Sequence, residues 1–390
     1  MSENFIPLSI PNLKGNEMKY LRKALESQWV STGGAYITEF EEKMANYVKV
    51  KGAVSCQNGT SGLHISLIIA GVTNNDMVIV PSLTFIAAVN PVKYIDAQPI
   101  FMDCDDSLCI DPIKLEEFCE NECALINGNL IHKTTNKHIK AIIIVHVFGN
   151  MADMEKLVEI SKKYNLIIIE DATEALGTYY TDRIYKGNFA GTIGDIGVYS
   201  FNGNKIITTG GGGMIVSNNQ QYLNHAKHLT TQAKSDEIYY THDEIGYNYR
   251  MTNIQAAIGL GQLEQLEAFI KIKNENYDLY IKEFKKYKIP ELLPFRENIR
   301  SNKWFYAFLC DKYKLNRDEL INYLSDNKIQ SRPIWGLIHE QKPYIGSYTY
   351  KIEKAYYYWE HIVNIPCSTN LTDNDIFRVI KTISDINLGD

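Results

Sequence analysis

Between residues 50 and 220 the chain alternates short unbroken apolar runs with stretches in which apolar positions recur every three or four residues. The succession is VKGAVSC then TSGLHISLIIAGV; MVIVP then FIAAVNPVKYI; QPIFMD then DPIKLEEFCEN; IKAIIIVHVFG then DMEKLVEISKKY, followed by LIIIED. Continuous apolar strands separated by helices predict a mostly parallel sheet covered on both faces. Ligands of such sheets bind beyond the C-terminal ends of the strands. Asn58 to Ser61, Ser82 to Phe85, Asp171 and Ser200 to Lys205 all fall at predicted strand ends, so they are expected to converge on one crevice.

After Tyr249 the pattern predicts a single long helix, NIQAAIGLGQLEQLEAFIKIKNENYDLYIKEFKKY, bridging two domains. Beyond Pro290, KWFYAFLC, IQSRPIW and IVNIPCS predict strands, with helices around residues 316–327 and 372–384. These elements describe a smaller α+β domain. The expected division is 1–255 for the large domain and 256–390 for the small one, with the N-terminal segment packing on the latter.

The 390 residues, 45% hydrophobic and 22% charged, are those of an ordinary globular protein. A net charge of −6 with scattered lysines argues against nucleic acid as a partner. No apolar run reaches the ~18 residues of a membrane span, and the first residues lack the basic-then-apolar pattern of a secretory signal. A cytoplasmic protein is expected. Seven cysteines without a pairing pattern predict reduced thiols rather than disulfides or a metal site.

The most specific chemistry lies in YSFNGNKIITTGGGGMIVSN. Lys205 sits there on a loop between two apolar runs, followed by Thr208, Thr209 and four glycines that let a ligand approach the backbone. Such a lysine can form a Schiff base with an aldehyde cofactor. Asp171, closing the strand of LIIIEDATEALG, supplies the matching carboxylate that keeps a pyridine nitrogen protonated. Singly, an aspartate after a strand is often a helix cap and a lysine among glycines a solvated loop residue. Together, in this order, they point to pyridoxal phosphate. Asn58-Gly59-Thr60-Ser61 closes a strand and opens a helix, offering N–H groups to an anion, and Phe85 could stack on the ring.

The motifs QWVSTGGAYITEFEEKMANY, NGTSGLHISL, VPSLTFIAAVN, IIIEDATEALG, SFNGNKIITTGGGGMI and GYNYRMTNIQAAIGLGQLEQL, in this order, resemble the DegT/DnrJ/EryC1/StrS family of sugar-nucleotide aminotransferases, over nearly the whole chain. The resemblance implies the aspartate aminotransferase-like fold (type I) of pyridoxal-phosphate enzymes. It implies that Lys205 holds the cofactor and moves the proton, that Asp171 pairs with the ring nitrogen, and that Gly59, Thr60, Ser61 and Ser200 hold the phosphate while Phe85 covers the ring. Asn248 would reach the cofactor phosphate of a second subunit, which requires a homodimer with shared sites. Ser31, Thr32, Glu174, Arg332, Trp335 and His339 are the positions it implies for the sugar, Glu174 also lying near the cofactor, where many relatives carry His or Gln. A carboxylate there would be repelled by the cofactor's phenolic oxygen unless protonated; a helix-terminal glutamate is the ordinary alternative.

EDATEALG with FNGNKIITTGGGG resembles the branch acting at C4 of UDP-linked 4-keto-6-deoxy-N-acetylhexosamines, on the routes to bacillosamine and legionaminic acid. The expected reaction takes the amino group from L-glutamate. A GDP-linked keto sugar, as in perosamine formation, is the alternative substrate. A sugar dehydratase with the same cofactor is the alternative reaction, and it would carry histidine in place of Lys205. A binding protein that has lost activity would not need the intact Lys205, Asp171, Ser61 and Asn248.

Overall fold

Asp and Asn residues start many of the helices by accepting the first free N–H groups: Asn58 from Ser61 at 2.8 Å, Asp111 from Ile113 at 2.8 Å, Asp153 from Lys156 at 3.3 Å. In the computed structural model, which describes residues 4–236, 238–290, 292–311 and 316–386, these helices flank a mixed sheet. Its order is Gly52–Cys56, Gly213–Ser217, Ile196–Ser200, Ile167–Asp171, His138–Val145, Asp76–Pro81, Gln98–Met102 and Tyr348–Tyr350. From Ile196–Ser200 to Tyr348–Tyr350 all neighbours are parallel. Gly213–Ser217 runs antiparallel to both of its neighbours, and a hairpin of Cys123–Ile126 and Asn129–His132 joins His138–Val145 from the side. The central strands are buried along nearly their full length, which is why they read as unbroken apolar runs.

The helix expected from Asn253 onward is two helices, Asn253–Leu263 and Leu266–Tyr287. At the break Gln265 N–H bonds back only three residues, to Gln262. There the Glu264 carboxylate is held by Asn16 and Tyr20, each at 2.6 Å. KWFYAFLC forms a strand only over Tyr306–Leu309; Lys303 takes a positive φ of 48° and turns Trp304 and Phe305 out of it. That strand, with Ile362–Ile365 and Arg332–Pro333, makes a separate three-stranded sheet. The N-terminal segment packs on this part of the chain: Leu8 N–H donates to Gln330 at 3.0 Å and Ile10 N–H to Ser368 at 2.9 Å. We keep the division near residue 255 as a proposal, noting that Tyr348–Tyr350 extends the large sheet.

The glycines after Thr209 serve packing. A Cβ on Gly213 would stand 2.6 Å from the Asn58 carbonyl, and Gly210 and Gly212 have φ of +79° and +146°. They let the strand Gly213–Ser217 close against the turn that starts the Gly59–Ile69 helix, and none of them lines the crevice.

Candidate active site

The C-terminal ends of the strands, as the alternating pattern requires, surround a cleft of about 350 Å³. Asn58, Gly59, Thr60, Thr84, Phe85, Asp171, Glu174, Ser200 and Lys205 all line it. Segments more than a hundred positions apart therefore meet at one point, as their places on the strands predict.

Lys205 occupies the loop after Ile196–Ser200. Its Nζ lies 3.7 Å from Glu174 Oε1 and 4.1 Å from the centre of the Trp304 ring. The indole faces the amine and is fixed by its own N–H bond to the Asn204 carbonyl at 2.7 Å and by stacking on Phe305 at 4.0 Å.

Asp171 is 4% exposed, and Thr173 N–H donates to its Oδ1 at 3.0 Å. Burial raises its pKa, opposed by the bonds from Thr173; a cationic ring N–H set against it would stabilise the carboxylate. Glu174 lies in a turn, not at a helix terminus, and is equally buried. Phe148 N–H donates to its Oε2 at 2.8 Å, leaving Oε1 toward Lys205. Burial pushes its pKa up to about 7, against the opposing pull of Lys205 and of the Phe148 N–H.

The cleft fits pyridoxal phosphate by its donors. It has an amine on one wall, a buried carboxylate on another, and the N-terminus of the Gly59–Ile69 helix, whose N–H groups suit a phosphate. Gly59 packs so closely that a Cβ would stand 3.0 Å from both Ser200 Cβ and Thr173 Cγ2, which keeps the helix end and the Ser200 strand end together. Ser61 caps the turn by donating to Asn58 Oδ1 at 3.0 Å and does not line the cleft.

Of the positions implied for the sugar, Trp335 and Glu174 line the cleft, while Ser31, Thr32, Arg332 and His339 do not. Ser31, Thr32 and Arg332 are exposed. His339 is turned away because both ring nitrogens are engaged elsewhere, by Ser82 and Tyr356. Asn248 is exposed, on the segment that pairs Thr231 with Asn248. Asn202 and Asn204, within the Ser200 to Lys205 segment expected at the crevice, also line the cleft; Trp304 and Phe305 line it too and were not anticipated, the aromatic pair near the head of KWFYAFLC being the available signal. Away from the cleft, all seven cysteines are buried thiols, and His228, Asp243 and Glu244 form a cluster with ligand atoms within 4.8 Å. Among the described residues no helix is long and apolar enough to cross a membrane.

Fold and cleft together define a fold type I pyridoxal-phosphate enzyme. The chain belongs to the DegT/DnrJ/EryC1/StrS aminotransferase family, whose model matches residues 11–384, and is a sugar-nucleotide aminotransferase with pyridoxal phosphate as cofactor. It is 38% identical over 381 residues to a GDP-perosamine synthase of Escherichia coli O157:H7, covering 98% of each chain. It is 29% identical over 390 residues to a UDP-4-amino-4,6-dideoxy-N-acetyl-beta-L-altrosamine transaminase of Campylobacter jejuni, covering 98% of this chain and 97% of the other. A crystal structure of a DegT DnrJ EryC1 StrS aminotransferase from Brucella abortus superposes with a TM-score of 0.85 at 26% identity, covering 95% of each chain.

Proposed function

We propose that this chain transfers the amino group of L-glutamate to C4 of a GDP-linked 4-keto-6-deoxyhexose, for the building of a surface glycan. The 38% identity to a GDP-perosamine synthase, against 29% to a transaminase named for a UDP-linked sugar, favours the GDP-linked substrate over the UDP-linked one expected from the EDATEALG segment. The observation that carries the reaction is Lys205 Nζ, held between Glu174 and Trp304 in one cleft with Asp171.

Pyridoxal phosphate, when bound, supplies an aldehyde that stores the amino group and a ring that withdraws electrons from the carbon losing its proton. Lys205 would hold the aldehyde carbon and, as a free amine, would carry the proton between the donor's carbon and that carbon. Glu174, with its acidity near neutrality, takes up and returns a proton at Lys205 Nζ, the match of acidity to working pH that proton transfer favours. Its protonated form also removes the repulsion a carboxylate would meet beside a phenolic oxygen. Asp171 holds the ring nitrogen, and the Asn58–Ser61 turn with Ser200 holds the phosphate. Phe85 and Trp335 both line the cleft as a tilted aromatic pair with ring centres 6.4 Å apart, placing an apolar pair beside the incoming sugar. Glutamate leaves as 2-oxoglutarate before the keto sugar takes the amine, so one cleft serves both substrates in turn.

We propose also that the active form is a homodimer. Ile238, Tyr239, Tyr240 and Ile245 are each at least 70% exposed, an apolar patch of the kind that a partner covers, on the segment that carries Asn248. Incubation of the cofactor-loaded protein with glutamate and either GDP- or UDP-linked 4-keto-6-deoxy sugar tests the reading. A C4 amine on the GDP sugar, identified by mass and NMR, is expected. An amine only on the UDP sugar would reverse the choice of nucleotide, and loss of water at C3 without amine would replace the reaction.

A further inference from the structure

Phe85 and Trp335 both stand on short connecting segments. Phe85 follows Ser82-Leu83-Thr84 beyond the strand Asp76–Pro81, and Trp335 follows the two-residue strand Arg332–Pro333. Each segment is tied to a different sheet, Ser82 N–H to the Met102 carbonyl at 2.9 Å and Ile334 N–H to the Ile362 carbonyl at 3.4 Å. Behind them the two segments are joined twice at Ser82: Ile338 N–H donates to its carbonyl at 3.0 Å, and His339 Nδ1 lies 2.6 Å from its hydroxyl.

The proton positions follow from the partners. Tyr356 gives its only hydroxyl proton to Glu340, so its oxygen accepts from His339 Nε2–H at 3.0 Å. A neutral imidazole protonated at Nε2 is an acceptor at Nδ1, and the Ser82 hydroxyl, which is fully buried, donates to it. Burial lowers the His339 pKa, opposed by Glu340 and Asp103, in keeping with the neutral ring.

We propose that His339 is a positioning residue: through Ser82 it fixes the gap between Phe85 and Trp335, and so sets the binding of the nucleotide sugar without touching it. The proposal rests on the function proposed above. It implies that the Ser82 side of the ring matters and the Tyr356 side does not.

The two halves of the reaction separate this from a general folding role. Glutamate bleaches the cofactor absorbance above 400 nm, and the keto sugar restores it. His339→Gln, whose amide stands near the place of Nε2, loses the Ser82 bond. His339→Asn, whose amide stands near the place of Nδ1, keeps it. The keto-sugar concentration for half-maximal recovery is expected to rise about tenfold in His339→Gln and Ser82→Ala, the worth of one buried hydrogen bond. His339→Asn and Tyr356→Phe should stay near wild type, and the glutamate half should stay within about twofold in all four. Equal losses in both halves, or rescue by Gln and not by Asn, would overturn the proposal. If glutamate bleaches the wild-type protein and no keto sugar restores it, the proposed function fails instead. The latch is then read from crystals of the Gln and Asn variants: the 6.4 Å ring separation should change only in the former, and an unchanged gap in both would refute it.

Discussion

At its inner end the cleft rests on Asp171, Glu174 and Ser200, none more than 8% exposed, whereas Phe85 at its mouth is 52% exposed and the candidates Ser31, Thr32, Asn248 and Arg332 lie on the surface outside its lining. The inner groups are carried by strand ends, a helix N-terminus and turns tied to the sheet, so their places are set by the same hydrogen bonds that hold the fold. The outer groups depend on short segments joined at Ser82 and, in the proposed dimer, on a surface that a second chain would cover. The inner end is built for one chemistry; the outer end is where a choice of substrate can change without disturbing it.

Substitutions should separate the two ends. Lys205→Ala should lower turnover by ~10³-fold or more, since the proposed covalent anchor and proton carrier would be lost together, while the apparent KM for the keto sugar changes little; steady-state kinetics with substrate in excess check both. Asp171→Asn should cost about 10²-fold in kcat by removing the charge that stabilises a protonated ring nitrogen, again with little change in sugar KM. A variant at either position that raised KM alone would erase the distinction between the ends.

Glu174 gives a prediction in pH. Its carboxyl holds its proton more tightly folded, where burial pushes its pKa up to about 7 from the ordinary 4.5. Folding of the cofactor-free protein is therefore favoured by this group at low pH; the advantage declines as pH rises from about 4.5 to 7 and is absent above. Glu174→Gln cannot ionise, so its stability relative to wild type should improve by about 3 kcal/mol between pH 4.5 and pH 8. Denaturant unfolding of both proteins at the two pH values checks this, and a difference independent of pH would contradict it. The smallest effect belongs to the proposed dimer surface: Asn248→Ala should weaken cofactor retention about tenfold, read by dialysis against buffer, and unaltered retention would remove Asn248 from the phosphate site.

Lys205 and Asp171 were legible because strand ends in an alternating pattern point to one edge of a sheet, and because their residue types match one chemistry. Glu174 was legible only as a departure from related sequences. Its carboxylate is held by the N–H of Phe148, 26 positions away, and no local pattern carries that contact. Trp304 was lost inside an apparent strand, since a single residue at positive φ leaves no mark on hydrophobic alternation. The break at Gln265 was hidden for a similar reason: apolar periodicity runs through it, and the residues that hold it, Asn16 and Tyr20, come from the N-terminal part of the chain. Tyr348–Tyr350 has three residues, too few to show alternation, and its partner Gln98–Met102 lies far back in the sequence. His339 was named only as a sugar position that the resemblance implies. Its actual partners are set by tertiary packing.

Everything above turns on Lys205 as the residue that holds the cofactor. Borohydride reduction of the pyridoxal-phosphate-loaded protein, followed by digestion and mass spectrometry, tests it without recourse to activity. The account predicts the reduced cofactor on the peptide containing Lys205, with no adduct in Lys205→Ala; an adduct on another lysine, or none on a loaded wild-type protein, would contradict it.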